Sequence, residues 1–261
     1  MNVLVFDIET VPDTDFGRRL YGLQDLDDEG VGRVMSFKQR QARNTEFLPI
    51  VQHKIVAISA VLRTKNDLHL FSLGEVESSE KELVTRFFEG LQRYLPELVS
   101  WNGSGFDLPV LHYRALLYGI NADRYWETGE TDREFRYNNY LSRFHWRHLD
   151  LMDILAGFQL GGRASLDQVA TLLGYPGKLG MSGEKVLSQY LAGDIPSIRN
   201  YCETDVLNTY LIYLRFQLMR GILSEAQLEE EISKVKVKLE QSEGVHLEEY
   251  LHAWQAIGYG S

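Results

Sequence analysis

The first apolar run of the chain, Asn2 to Phe6, is short and β-branched, and an acidic pair closes it. That pattern predicts a buried strand. Lys54–Leu62 predicts a second strand and Leu68–Leu73 a third, with Asn66-Asp67 as the hairpin turn between them. From Ser79 to Tyr94 the apolar residues Leu83, Phe87, Leu91 and Leu95 recur at helical spacing, and Ser79 with Glu82 fits a capping box. Leu98–Trp101 reads as a short strand, Asn102-Gly103-Ser104-Gly105 as a turn, and a helix follows from Leu108 to about Tyr118. Residues 11–50 show no clear period. Pro12, Gly17, Gly22, Gly30 and Gly32 interrupt them, which leaves a long irregular insertion with one short helix near Met35–Ala42. From about Leu149 the pattern is helical, broken at Gly161-Gly162, at Gly174-Tyr175-Pro176-Gly177 and at Gly193-Asp194. Strands that come early and helices that dominate late imply a mixed sheet flanked by helices.

Composition narrows the class. A chain of 261 residues, 44% hydrophobic and 25% charged, suits one large domain or a domain with an added subdomain. Its single cysteine, Cys202, allows no internal disulfide and reads as a small buried residue. No apolar stretch approaches the roughly 20 residues that span a membrane. The start, MNVLVFDIET, has no basic region and meets Asp7 too early for a signal peptide, so a cytoplasmic protein away from membranes is expected. The net charge of −10 argues against broad binding of duplex phosphates. It argues less against an enzyme that holds a few nucleotides around bound cations.

Five residues carry candidate chemistry. Asp7 and Glu9 lie two apart on a strand, so both carboxylates project to one face, where a cation would relieve their repulsion. Such oxygen-only donors suit Mg²⁺ or Mn²⁺ better than zinc; the plain alternative is a solvated acidic turn. Asp107 follows a glycine turn and could be a ligand, a helix N-cap, or both. Tyr201 and Asp205 are four apart in a helical stretch, Tyr201–Phe216, and so share a face. By itself that pair is also what ordinary helix surface looks like.

The set of motifs resembles the DEDD exonuclease superfamily. Tyr201 places the resemblance in the tyrosine-type branch, since the histidine type would need histidine where Asn200 stands. FDIET, WNGSGFDLPVL and YCETDVLNTYLIY are similar to the stand-alone bacterial exonucleases related to the proofreading domain of family B DNA polymerases. HKIVAISAV, LDLMDIL and SLDQVATLLGYPGK extend the likeness over most of residues 1–218.

The resemblance implies an α/β, RNase H-like fold with a mixed five-stranded sheet, the fifth strand short and near residues 148–151. It implies a domain over 1–220 and a helical extension over 221–261 packed on it. It further implies hydrolysis with two ions, Mg²⁺ or Mn²⁺, about 4 Å apart. Asp7 would bridge them, Glu9 and Asp205 would complete the ion that activates water, Asp107 would hold the second through water, and Tyr201 would hydrogen-bond the attacking water. The substrate implied is the 3′ end of single-stranded nucleic acid, DNA before RNA, giving nucleoside 5′-monophosphates, with DNA repair as the setting. Thr10, Asn102 and Phe106 would meet the terminal nucleotide.

In Arg133–His148 four arginines stand against one glutamate, interleaved with Phe135, Tyr137, Tyr140, Phe144 and Trp146. Arg136, Arg143 and Arg147 suit phosphates and the rings suit bases; the alternative is a subdomain whose aromatics are core. His145 and His148 have no histidine partner at metal-site spacing and read as structural. Glu225–Glu243 alternates acidic and lysine clusters, as a solvated helix face does. Two other functions fit the same residues: a ribonuclease or short-oligonucleotide hydrolase of the same chemistry, and a non-catalytic nucleic-acid-binding partner of a polymerase or repair complex. No residue settles recognition of the 2′-hydroxyl, and the sequence leaves protein partners open.

Overall fold

In a computed structural model that describes residues 2–180 and 183–258, five strands form one sheet. They are β1 (Val3–Pro12), β2 (His53–Arg63), β3 (Leu68–Ser72), β4 (Glu97–Ser100) and β5 (His148–Asp150), in the order β3-β2-β1-β4-β5. β2 runs antiparallel to both β1 and β3, whereas β4 is parallel to β1 and β5 to β4. Parallel neighbours need crossovers. Helix α3 (Glu80–Tyr94) lies between β3 and β4, and α4 (Asp107–Tyr118) with the short α5 (Asp123–Trp126) lies between β4 and β5. This is the mixed five-stranded α/β sheet expected of an RNase H-like fold, with its fifth strand where it was expected.

Strand alternation sends the two faces of β1 into two cores. Leu4, Phe6 and Ile8 pack with Leu83, Phe87 and Leu91 of α3 and Leu111 of α4. Val5, with Val61 and Val99, packs on the other side against Val206, Tyr210 and Leu211. Those residues belong to α9 (Ile195–Met219), a long helix that follows α6 (Leu151–Leu155), α7 (Leu166–Leu172) and α8 (Gly183–Leu191). Two last helices, α10 (Glu225–Glu240) and α11 (Val245–Ala256), join the same core through Leu228, Val235, Leu239, Tyr250 and Trp254. Their anchors include a hydrogen bond of 2.7 Å from Tyr250 Oη to Asn208 and an ion pair of 2.7 Å between Arg63 and Glu231. Glu225–Glu243 is thus a solvated face only on one side. The expected extension 221–261 ends in three residues outside the described ones. No helix among the described residues is long and apolar enough to cross a membrane.

Two expectations need correction. β1 does not end at Phe6. It runs to Pro12, because pairing with β2 over its whole length outweighs the poor strand propensity of Asp7 and Glu9. Residues 11–50 are not an irregular insertion either. They hold α1 (Thr14–Tyr21) and α2 (Asp28–Arg43), capped by Asp13 and Asp27, whose carboxylates accept from Phe16 N and Gly30 N. Gly22 ends α1 in the left-handed conformation, but Gly17 is inside a helix. A Cβ there would collide with Met35 and Val31, so that glycine lets α1 and α2 cross closely.

Candidate active site

Continuing the alternation of β1 puts Asp7 and Glu9 on the α9 side of the sheet. The pairing with β2 shifts register between Glu9 and Thr10, so the strand is irregular where the acidic pair ends. On its other edge, β1 pairs with β4 only over Val3–Val5. Beyond Val5 the strands diverge, and the turn that leaves β4 folds back into the gap. Asn102 turns it with a positive φ of 64°, and Asp150, at the end of β5, accepts from Asn102 N at 3.0 Å and Ser104 N at 2.9 Å. Asp107 then opens α4. It is the first helical residue rather than the N-cap, and its Oδ1 accepts from Ile8 N at 3.2 Å.

From the opposite side, α9 presents Tyr201, Cys202 and Asp205, all buried. Cys202 Sγ donates to Asp7 at 3.4 Å (carbonyl) and 3.5 Å (Oδ2). One ligand atom from each of Asp7, Glu9 and Cys202 lies within 4.8 Å of the others. Asp205 Oδ1 is buried with no hydrogen-bond partner. Among the described residues of the loop after α7, Lys178 acts on Glu9 and Asp205, and its Nζ lies 5.6 Å from the Tyr201 ring centre. The loop is anchored by Lys178 N donating to Asp167 Oδ1 at 2.8 Å and Asn208 Nδ2 donating to Gly177 O at 3.0 Å.

The electrostatics follow from that crowding. Burial, then the charges of Asp107, Glu9 and Asp205, holds Asp7 well above the usual carboxylate range. Burial, Asp205 and Asp107 do the same to Glu9, against the pull of Lys178. Burial lifts Asp107 to about 7, and lifts Asp205 to about 6 although the Tyr201 hydroxyl and Lys178 oppose it. Burial and the neighbouring Asp7 and Glu9 also raise the Cys202 thiol, so it stays protonated and acts as a donor to Asp7 rather than as a thiolate ligand. What is left is an oxygen donor set with one orphaned buried oxygen. Its charge is unbalanced, and it fits hard divalent cations.

The three residues expected at the terminal nucleotide are on adjoining elements. Thr10 Oγ1 shares a hydrogen bond of 2.9 Å with His53 Nδ1. The Phe106 ring stands edge-on to His53 at 5.0 Å and 5.5 Å from Phe47, which is 57% exposed. Asn102 is in the turn already described. Sequence reasoning did not single out Lys178, Asp150, Phe47 or His53. Lys178, Asp150 and His53 do lie inside the stretches SLDQVATLLGYPGK, LDLMDIL and HKIVAISAV, but nothing local aims them at the site.

The arginines of 133–148 are not brought to this cluster. Arg147 is buried in its own subdomain: its guanidinium stacks 4.0 Å from the Phe135 ring centre, and its Nε donates to Asn138 O at 2.6 Å. A side chain so enclosed offers no surface for phosphate, which corrects the expectation for Arg147. Arg136 and Arg143 are exposed. Of the rings, Phe135 and Tyr140 are core, while Tyr137, Phe144 and Trp146 are on the surface. The two histidines are structural: His145 Nδ1 accepts from Asn139 N at 3.1 Å, and His148 Nε2 shares a hydrogen bond of 2.9 Å with Ser100. The roomier grooves lie elsewhere. One of about 600 Å³ runs between α3 and β3 and one of about 510 Å³ lies between α3, α4 and α5; neither is lined by any of the four carboxylates.

A sequence family described as a predicted 3′–5′ exonuclease related to the exonuclease domain of PolB matches residues 45–254. That span contains Asp107, Tyr201 and Asp205 and starts after Asp7 and Glu9. No curated protein matches the chain. Among solved structures, the chain is similar to the family B DNA polymerase from the hyperthermophilic archaeon Pyrobaculum calidifontis, at 17% identity and a TM-score of 0.48. The likeness covers 96% of this chain and 27% of the polymerase, so the chain spans about a quarter of that protein's length.

Proposed function

Given that the chain belongs to the family of predicted 3′–5′ exonucleases related to the exonuclease domain of PolB, we propose that it hydrolyses the last phosphodiester bond at the 3′ end of a single strand, DNA before RNA, and releases nucleoside 5′-monophosphates. The observation that carries this reading is the convergence of Asp7, Glu9, Asp107 and Asp205 from β1, α4 and α9 into a buried group that lacks the positive charge to balance it. Mg²⁺ or Mn²⁺ ions held by those carboxylates would neutralise charge on the phosphodiester and lower the pKa of a water molecule.

The chain's own groups do the rest. Burial, with Asp205 and Glu9 nearby, raises the Tyr201 hydroxyl, which keeps its proton and orients the attacking water. Lys178 adds positive charge on the side where the phosphate's negative charge grows. Asp150 fixes the turn that carries Asn102, Phe106 and Asp107. Phe106, His53, Phe47 and Thr10 offer rings and a hydroxyl to the terminal base and sugar. The acidic chain accounts for a preference for a single strand over a duplex.

The test is parallel digestion of 3′- and 5′-labelled single-stranded DNA, blunt duplex and RNA in Mg²⁺, Mn²⁺, Zn²⁺ or EDTA. Mononucleotides should leave the 3′ end of single-stranded DNA first, in Mg²⁺ or Mn²⁺ only. Full activity in EDTA, or release of the 5′ label first as a mononucleotide, would overturn the reading. Faster turnover of RNA would transfer it to a ribonuclease.

A further inference from the structure

The segment 133–147 is the largest chemical feature that the proposed reaction leaves unused. Its inner layer, Phe135, Tyr140 and Arg147, is packed and satisfied. Its outer layer is not. Tyr137 is 80% exposed, Phe144 71% and Trp146 46%. The same segment carries Arg133, Arg136 and Arg143, all exposed, and none makes an ion pair with another described residue. In a chain of net charge −10, three exposed arginines stand here against Glu134, the one acidic residue of the segment. The rings carry cations on their faces: Arg143 lies 5.0 Å from the Phe144 ring centre and 5.1 Å from that of Phe158, and Arg220 lies 3.8 Å from Trp146. Large exposed rings of this kind mark an interaction surface.

This surface is far from the carboxylates. Leu98 N donates to Arg147 O, and Tyr140 Oη donates to Pro96 O, so the segment meets the sheet where β4 begins. The turn that holds Asp107 leaves from the other end of β4. Helix α9 gives an independent ruler. Arg220, which caps it and stacks on Trp146, lies fifteen residues beyond Asp205, about 22 Å at the rise of an α-helix.

We infer that this face is a second contact for the single strand, upstream of the 3′ end being hydrolysed. A strand stacked at ~3.4 Å per nucleotide reaches it within about seven nucleotides, and an extended strand within fewer. The chemistry fits that occupant. Unpaired guanidinium groups suit phosphates, and rings suit bases of any sequence because every base has a π-face. For its occupant the inference rests on the single-strand reading above. Its consequence is new: strand length, not only the terminal nucleotide, sets affinity.

The experiment measures binding of fluorescein-labelled oligothymidylates of 4 and 15 nucleotides by anisotropy in EDTA, over a range of salt, and then the hydrolysis of both in Mn²⁺. The variants are Arg136→Ala/Arg143→Ala and Tyr137→Ser/Phe144→Ser, all at exposed positions. The wild type should bind the 15-mer about ten-fold or more tightly than the 4-mer. The arginine variant should lose most of that advantage, and its log–log salt slope on the 15-mer should fall by about 1.4, at ~0.7 per phosphate contact. The ring variant should lose a similar factor with its slope unchanged. Wild-type affinity and slope for the 15-mer in both variants would overturn the inference. A protein that shows this length-dependent binding but hydrolyses neither strand would keep the surface and remove the nuclease reading. One that hydrolyses both while the length advantage survives in both variants would do the reverse.

Discussion

Two groups of buried carboxylates lie in this molecule, and they are completed in opposite ways. Asp13 and Glu80 are closed from within. Arg114 reaches Asp13 at 2.6 Å and Glu80 at 2.5 Å, Tyr118 donates to Glu80 at 2.7 Å, and backbone amides of Phe16 and Ile55 take the remaining oxygens. Glu9, Asp107 and Asp205 are as enclosed and Asp7 is half-buried, but the four have the amides of Ile8 and Asp107, a thiol, a neighbouring tyrosine and a lysine for company. Burying a carboxylate without a partner costs several kcal/mol, so the first group belongs to the scaffold and the second awaits charge from outside. Burial alone does not distinguish a site from a core. What distinguishes them is whether the fold supplies its own counter-charge.

The sharpest way to break this comparison is to remove one carboxylate from the open group. Asp205→Asn should lower turnover by at least about 10³-fold, since it deletes a ligand oxygen. The same change should raise the melting temperature of the metal-free protein, because it relieves repulsion. If it destabilises the metal-free protein, the open group is not open. Tyr201→Phe should reduce kcat by about 10²–10⁴-fold, with metal and strand affinity near wild type. A wild-type kcat would reduce Tyr201 to a packed ring. In the closed group, Arg114→Met strands two buried carboxylates and should cost about 3–5 kcal/mol in urea unfolding. A loss under 1 kcal/mol would show that Asp13 and Glu80 do not depend on it.

The smallest effect is in pH. Asp107, at about 7, and Asp205, at about 6, bind protons more tightly in the folded chain than in the unfolded one. Their stabilising contribution is complete below the ordinary carboxylate pKa of about 4 and is lost as pH rises to about 7. A divalent cation held by these carboxylates, as proposed above, would take the place of those protons. The gain in melting temperature on adding Mn²⁺ should therefore be larger at pH 8 than at pH 5, and Arg114→Met should leave that difference unchanged. Equal gains at both pH values would contradict the assignment.

Much of this was readable in the chain because it depends on short periods. Asp7 and Glu9 share a face by strand alternation, Tyr201 and Asp205 by helical spacing, and the early strands and late helices announced the layered sheet. What was hidden depends on contacts between distant residues. Asp150 grips a turn 46 to 48 residues earlier in the chain, and Lys178 is aimed by Asp167 and Asn208. The segment 133–147 is largely irregular, so no period tells the enclosed Arg147 from the exposed Arg143. The glycines of α1 and α2 misled for a related reason. Between residues 11 and 50 they look like breaks, and only the partner helix shows that Gly17 is a point of contact.

The hydrogen bond from Ile8 to Asp107 makes one side chain part of the sheet. β1 pairs with β4 over Val3–Val5, and farther along that edge the Ile8 amide closes on a carboxylate instead of a strand. The carboxylate cluster and the frontier of the central strand are therefore joined by a single proton. That proton is a built-in reporter. Its exchange with heavy water follows the state of Asp107, slowing when the carboxylate is held in place and quickening when it swings away, so the occupancy of the site can be followed at an amide of the backbone without any substrate present.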